Sequence, residues 1–173
     1  MPQTLRFHFG ILIRCIIILI AITLTESCKT SKNVNQSNAP QNERDEKTLL
    51  LLKTAKSFKG TRYKAGGTTN SGMDCSGLVV TSFQKINIFL PRTSREQSKL
   101  GNEIKMTDAQ PGDLIFFATD GKSKGINHVG IVTAISAENG IIFIHSTIRG
   151  GVMEDKTNDA YYQKTFEKIM RIY

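Results

Sequence analysis

A thiol and two imidazoles define the chemistry open to this chain. Cys75 lies in Asp74-Cys75-Ser76-Gly77-Leu78-Val79, and His128 and His145 follow downstream. A cysteine attacks as its thiolate, so it needs a base to take its proton, and that base needs a group to orient it. Asp74 is a candidate N-cap, and Leu78, Val79, Phe83 and Ile86 then recur at roughly helical spacing. Cys75 is thereby predicted in the first turn of a helix, where unpaired N–H groups and the helix dipole favour a thiolate. On these residues alone, a small cysteine buried for packing is an equally good account. A histidine at a strand end is likewise more often a surface or satisfied core residue. Two histidines and one thiol lack the close spacing of a metal site, so no metal and no other cofactor is expected.

The elements that must position these side chains begin with helices. Glu43–Phe58 has acidic residues early, Leu49-Leu50-Leu51-Leu52 in the middle and Lys53 and Lys56 late, an order that suits the helix dipole. Gly60 is expected to end it, and Tyr63-Lys64-Ala65-Gly66-Gly67 reads as a loop. The cysteine helix should run to about Gln84–Asn87. Pro91-Arg92-Thr93-Ser94 opens a shorter helix through Gln97–Leu100, with Ser94 a candidate cap. The period then changes. Asp113–Ala118, Asn127–Ile135, Ile141–Ser146 and Phe166–Ile172 are apolar, β-branched strand candidates, and Asp155–Gln163 is expected to hold a short helix. Helices followed by strands predict an α+β fold, with N-terminal helices packed on an antiparallel sheet. One helix can then present its N-terminus to residues projecting from the sheet. Asn139-Gly140 is a hairpin signal. A two-residue turn there would leave His128 and His145 six residues out of register but on the same face, so contact between them would need intervening bulges or a longer loop.

The N-terminus reads differently. Arg6 and Arg14 precede or punctuate the apolar run Ile11–Leu24, and Thr25-Glu26-Ser27-Cys28 follows; this order describes an export signal. The run is short of the roughly 20 residues of a spanning helix, with an uncleaved anchor as the alternative. Ser27-Cys28 resembles the bacterial lipoprotein signal, although Thr25 and Glu26 depart from its usual residues. That resemblance implies lipidation of Cys28 and an exported protein tethered to a membrane of the bacterial cell envelope. Residues 1–28 are accordingly read as signal, 29–47 as a flexible polar tether, and 48–173 as one domain able to bury a single core. Cys15 would leave with the signal and Cys28 would carry lipid, so Cys75 stands as a lone thiol with no internal disulfide partner. The net charge is +8, but the basic residues are scattered without an aromatic-interleaved run. Nucleic acid is therefore not an expected partner, and anionic lipid or wall polymer suits the charge better. A monomer is expected.

Six motifs in order then carry a resemblance. They are Tyr63-Lys64-Ala65-Gly66-Gly67, Asp74-Cys75-Ser76-Gly77-Leu78-Val79, Leu90-Pro91-Arg92-Thr93-Ser94 with Gln97, Pro111-Gly112-Asp113-Leu114-Ile115-Phe116-Phe117, His128-Val129-Gly130-Ile131-Val132 and Ile144-His145-Ser146. The chain resembles the NlpC family of papain-like bacterial cell-wall cysteine peptidases over almost all of residues 48–173, with Ala65 where a Trp is frequent. The resemblance implies Cys75 as nucleophile at a helix N-terminus, His128 as general base and then acid, and His145 as the orienting third residue. It implies Tyr63 beside the nucleophile, where its hydroxyl could help the oxyanion, and Asp74, Ser76, Arg92 and Ser94 along the groove. For those four, capping or loop structure explains the residues equally well. The implied reaction is hydrolysis of an amide in peptidoglycan stem peptides, such as a D-glutamyl–diamino acid bond or a crosslink. A non-catalytic peptidoglycan-binding lipoprotein, and an amidase or acyltransferase using the same residues, are the competing readings.

Overall fold

The computed structural model describes residues 39–119 and 125–173. The expected export signal, the Cys28 lipidation site and residues 29–38 of the expected tether lie outside the described residues. A first helix, α1 (Ala39–Ser57), is followed by a two-strand ribbon, β1 (Thr68–Thr69) and β2 (Gly72–Met73). The cysteine helix α2 (Cys75–Gln84) and the short α3 (Ser94–Gln97) come next. The remaining elements are β3 (Asn102–Ile104), β4 (Leu114–Phe117), β5 (His128–Ser136), β6 (Gly140–Thr147), β7 (Gly151–Lys156), α4 (Ala160–Thr165) and β8 (Phe166–Arg171). Strands β3 to β8 form one antiparallel sheet in the order β3-β8-β4-β5-β6-β7. This is the expected α+β arrangement.

Helix α1 starts at Ala39, inside the stretch 29–47 expected to be a tether and four residues before Glu43. Pro40 sits in its first turn, where a missing N–H costs nothing. The acidic residues are therefore not at the N-terminus, and the dipole argument does not apply to them. They pair along the helix instead: Lys47 Nζ lies 2.7 Å from Glu43, and the side-chain amides of Gln41 and Asn42 donate to Asp45 and Glu46. Gly60 ends this region with φ 85°, as expected. Among the described residues no helix is long and apolar enough to cross a membrane.

The sheet separates two apolar clusters. On one face Leu51 and Ala55 of α1 and Leu78, Val79 and Phe83 of α2 pack against Leu114, Phe116, Val129, Ile131 and Ile144. Leu78, Val79 and Phe83 are fully buried, and burial of each side chain contributes about 1.5–3 kcal/mol, so α2 is fixed by its apolar face. On the other face Ile115, Phe117, Val132, Ile141, Phe143, Ile169 and Tyr162 of α4 form the second cluster. The alternation along β4, β5 and β6 divides the sheet's residues between the two. The site lies where α2 meets the ends of β5 and β6.

Candidate active site

Helix α2 begins at the thiol because Asp74 stops the chain from starting earlier. Asp74 is extended (φ −93°, ψ 177°), and its Oδ1 accepts the Gly77 N–H at 2.7 Å, satisfying one of the helix's free donors. Its Oδ2 accepts the Gly66 N–H at 2.7 Å. Arg92 clamps the same carboxylate with both terminal nitrogens, at 2.9 and 2.6 Å, and reaches Ser76 Oγ at 2.8 Å. A side chain at Gly77 would collide with the Gly67 carbonyl oxygen, so glycine is what lets the loop close on the helix. The loop is pinned to β2 as well: Met73 N–H donates to the Arg62 carbonyl at 3.1 Å and Lys64 N–H to the Met73 carbonyl at 3.2 Å. Tyr63, between those two bonds, is thereby held next to the start of α2.

Burial raises the Asp74 carboxyl, but Arg92 and the amides of Gly77 and Gly66 outweigh it and leave the group below the ordinary carboxylate value. A carboxylate depressed in the fold contributes stability above its unfolded pKa of about 3.9 and loses it as pH falls through the folded value. Asp74→Ala, which removes cap and charge, is expected to lower unfolding free energy at pH 7 by about 1–3 kcal/mol. Asp74→Asn keeps a capping side chain and loses the charge, so its deficit should narrow on acidification below about pH 4. Urea unfolding at pH 7 and pH 3 measures both, and a deficit for Asp74→Asn that does not change with pH would exclude the charge-based account.

His128 opens β5 and His145 lies near the end of β6. Their rings touch, His128 Nε2 lying 2.7 Å from His145 Nδ1. The hairpin departs from a two-residue turn in two ways. Ser136 pairs with Gly140, so Ala137, Glu138 and Asn139 form the turn, and Gly140 closes it at φ 68°. A register shift between Val132 and Ala134 leaves Thr133 as an extra residue on β5, after which Ile131 pairs with Ile144. The turn moves the pairing by three residues and the bulge by one more. Six residues of offset become two, a diagonal neighbour on the same face. Extended by one residue, that register brings Gly130 across from His145, and a Cβ at Gly130 would come within 2.7 Å of the Phe143 ring. Its missing side chain leaves room for the Phe143 ring beside His145.

The row continues beyond the expected residues. His145 is fully buried, and its Nε2 lies 2.9 Å from Asp155 Oδ2 on β7. Tyr162 of α4 donates its hydroxyl to the same Oδ2 at 2.6 Å. Neither residue is legible as part of a site from the sequence. The short helix expected within Asp155–Gln163 is present as α4, but it starts only at Ala160, and β7 runs through Lys156.

A cleft of about 550 Å³ opens in front of these groups, lined by Tyr63, Cys75, Asn127, His128, Arg149 and Tyr161 among others. Arg149 stacks over the Tyr161 ring at 5.9 Å. Asn127 accepts from the Thr119 N–H at 2.8 Å and fixes the lip where β5 begins. Cys75, His128 and Tyr63 thus share one cavity, and His145 stands behind His128. Asp74, Ser76 and Arg92 build the network under the helix start rather than the cleft wall. Ser94 is buried in the first turn of α3, and Thr93, not Ser94, is its cap, accepting the Glu96 N–H at 3.3 Å. Among the described residues no group of three or more His, Cys, Asp and Glu side chains is arranged to hold a metal ion.

The protonation state differs from the thiolate expected at a helix start. Burial pushes the Cys75 thiol up and Asp74's charge adds to this, while the backbone amides of Val129, Ser76 and Cys75 itself offset only part. Burial and the neighbouring His145 push His128 down to about 3, with Asp155 acting the other way. Both shifts favour the uncharged forms, thiol and imidazole. Burial, Cys75 and Asp74 raise the Tyr63 phenol, which remains a donor.

A model of the family described as NlpC/P60 matches residues 60–171. The chain belongs to the NlpC/P60 family. The match includes the Tyr63 loop, the Cys75 helix and the strands carrying His128, His145 and Asp155. A protein named probable endopeptidase NlpC from Escherichia coli strain K12 is 35% identical over 164 residues, covering 92% of this chain and 99% of its own. A murein DD-endopeptidase MepS/murein LD-carboxypeptidase of the same organism is 31% identical over 116 residues, 66% of this chain and 57% of that one. A crystal structure of an NlpC/P60 family protein from Bacillus cereus aligns with a TM-score of 0.64 and 31% identity, over 72% of this chain and 39% of the other. The NlpC/P60 domain of this chain is thus shared with longer proteins.

Proposed function

We propose that this protein is a peptidoglycan endopeptidase of the bacterial cell envelope that hydrolyses amide bonds in wall stem peptides through Cys75, His128 and His145. The observation that carries the reading is the contact of His128 Nε2 with His145 Nδ1, made in the wall of the cleft that also contains Cys75. With Nε2 engaged, Nδ1 is the nitrogen of His128 left for the cleft.

In this reading the Cys75 Sγ–H proton passes to His128 Nδ1 as sulfur attacks the scissile carbonyl carbon. Shifts that favour the uncharged thiol and imidazole support proton transfer that accompanies attack. Negative charge develops on the carbonyl oxygen, towards the backbone N–H of Cys75 at the helix start and the hydroxyl of Tyr63. The His128 imidazolium returns its proton to the leaving nitrogen, releasing an amine and leaving an acyl thioester on Cys75. Water then attacks the thioester, its proton goes to His128 and on to the departing sulfur, and a carboxylate product leaves. The relative named murein DD-endopeptidase supports wall peptides as substrate.

The lipidated Cys28 belongs to the same reading. Lipid on residue 28 and a polar segment before α1 would keep the domain near the membrane and within reach of the wall. Incubation of the purified protein with purified peptidoglycan, followed by mass spectrometry of the soluble fragments, tests the function. New stem-peptide fragments are expected, and their masses name the bond that is cut. Tight association with the wall without any fragment would replace hydrolysis with the non-catalytic binder.

A further inference from the structure

Three strands contribute one diagonal row of polar side chains in an otherwise apolar face. His128 on β5, His145 on β6 and Asp155 on β7 each stand two residues out of register with the next, since His145 pairs with Met153 while Asp155 pairs with Phe143. The row is hydrogen-bonded throughout, at 2.7 Å between the imidazoles and 2.9 Å from His145 to Asp155 Oδ2. It ends on Tyr162, which reaches Oδ2 at 2.6 Å from the cluster of Phe117 and Phe143.

The chemistry of the last acceptor fixes the proton on the nitrogen that faces it, and for a neutral His145 it fixes the rest of the row. An ionised carboxylate only accepts, so the His145 nitrogen facing it, Nε2, must carry hydrogen. Neutral His145 then has its lone pair on Nδ1. That nitrogen can only accept from His128, so His128 carries its hydrogen on Nε2 and its lone pair on Nδ1. A base lone pair directed at the cleft is what the thiol requires. With the opposite tautomer of His145, two lone pairs would face each other at 2.9 Å from Asp155, and His128 would present N–H where a base is needed.

We propose that Asp155, held by Tyr162, is a positioning residue that sets the tautomers of both His145 and His128 and extends the Cys75–His128–His145 set into a longer relay. The catalytic consequence rests on the peptidase reading above, whereas the tautomers do not. The surroundings keep the carboxylate charged: the hydrogen bond from His145 pulls Asp155 below its ordinary value against partial burial, with Tyr162 and the charge of Arg149 acting the same way. Burial and the Asp155 charge push the Tyr162 phenol up, so its hydroxyl stays a donor. When His128 takes the thiol proton, Asp155 also places a negative charge behind the new imidazolium, relayed through His145.

The test uses the full chain with 15N-labelled histidine, Asp155→Asn and Tyr162→Phe. Two-bond 1H–15N correlations report which ring nitrogens carry hydrogen, independently of any activity. In the wild type both His128 and His145 should carry hydrogen at Nε2 and none at Nδ1; a His145 carrying hydrogen at Nδ1, alone or in addition to Nε2, would overturn the proposal. Asparagine has the shape of aspartate but can turn an N–H towards His145, so Asp155→Asn should shift the His145 signals towards the Nδ1–H form. In that variant kcat on wall peptides should fall about ten- to a hundredfold with little change in KM, the usual cost of losing an orienting partner. Tyr162→Phe should keep the tautomer and lower kcat by a smaller factor. Thermal melts identify any loss that comes from unfolding, and if Asp155→Asn fails to fold, the wild-type tautomers and Tyr162→Phe still decide. A folded Asp155→Asn with wild-type tautomers and wild-type kcat would also overturn it. Absence of wild-type activity would sink the peptidase reading and leave the tautomer measurement standing.

Discussion

Cys75→Ala should abolish release of peptide fragments from purified wall and leave the fold intact. The thiol is the nucleophile in the proposed reaction, and alanine supplies no atom that can form the acyl intermediate. Residual activity should fall on the order of 10⁵-fold or more, as when the nucleophile of a coupled catalytic set is removed. The structural cost is small. Cys75 is 9% exposed and a methyl group keeps most of its packing, while the helix start is held by the Asp74 cap and the Arg92 clamp, which the substitution does not touch. A melting curve close to the wild type's, together with a fragment spectrum identical to wall alone, is the expected pair of results. Retained cleavage by folded Cys75→Ala would remove the thiol mechanism altogether. It would point instead to hydrolysis by water activated at His128, since no covalent intermediate could then form.

How much of this site can be read before the fold is known depends on how local each cause is. The start of α2 is local: a capping aspartate, small residues and then apolar positions at helical spacing are enough, and the helix begins at Cys75 as expected. Strands β4, β5, β6 and β8 are legible for the same reason, since their β-branched and aromatic runs are bounded by turn residues. Strand β7 is not. Its Met153-Glu154-Asp155-Lys156 has the composition of an exposed edge, which is where it lies in the sheet, and a charged edge strand does not alternate clearly. Asp155 is hidden in the sequence because its strand is. The histidine contact is hidden differently, by a three-residue turn and a bulge at Thr133 that carry no strong marker in sequence. The protonation of Cys75 lies one step further away. The N-terminal position favours a thiolate, and only the packed surroundings reveal that burial outweighs it.

His128→Ala should be nearly as damaging as loss of the thiol, while His145→Gln should keep part of the rate. Burial raises the Cys75 thiol and lowers the His128 imidazole, so both shifts favour the uncharged forms and the proposed attack has to move the thiol proton. Each turnover must move a proton from sulfur to nitrogen and then to the leaving amine, and His128 is the only imidazole among the described residues lining the cleft. Removing it takes away base and acid together, worth about 10²–10⁴-fold for each proton transfer assisted. His145 acts one bond further back. A glutamine there can still accept from His128 Nε2–H through its side-chain oxygen, so orientation survives in part and a loss of about one to two orders of magnitude is expected. Alanine at position 145 is a poorer probe, because the ring is fully buried against Phe143 and Tyr162 and its removal opens a cavity that costs stability. Rates on a defined stem peptide, read beside melting curves, separate the two positions. Equal and total loss in folded His128→Ala and His145→Gln would mean that His145 handles the travelling proton itself rather than orienting the ring that does.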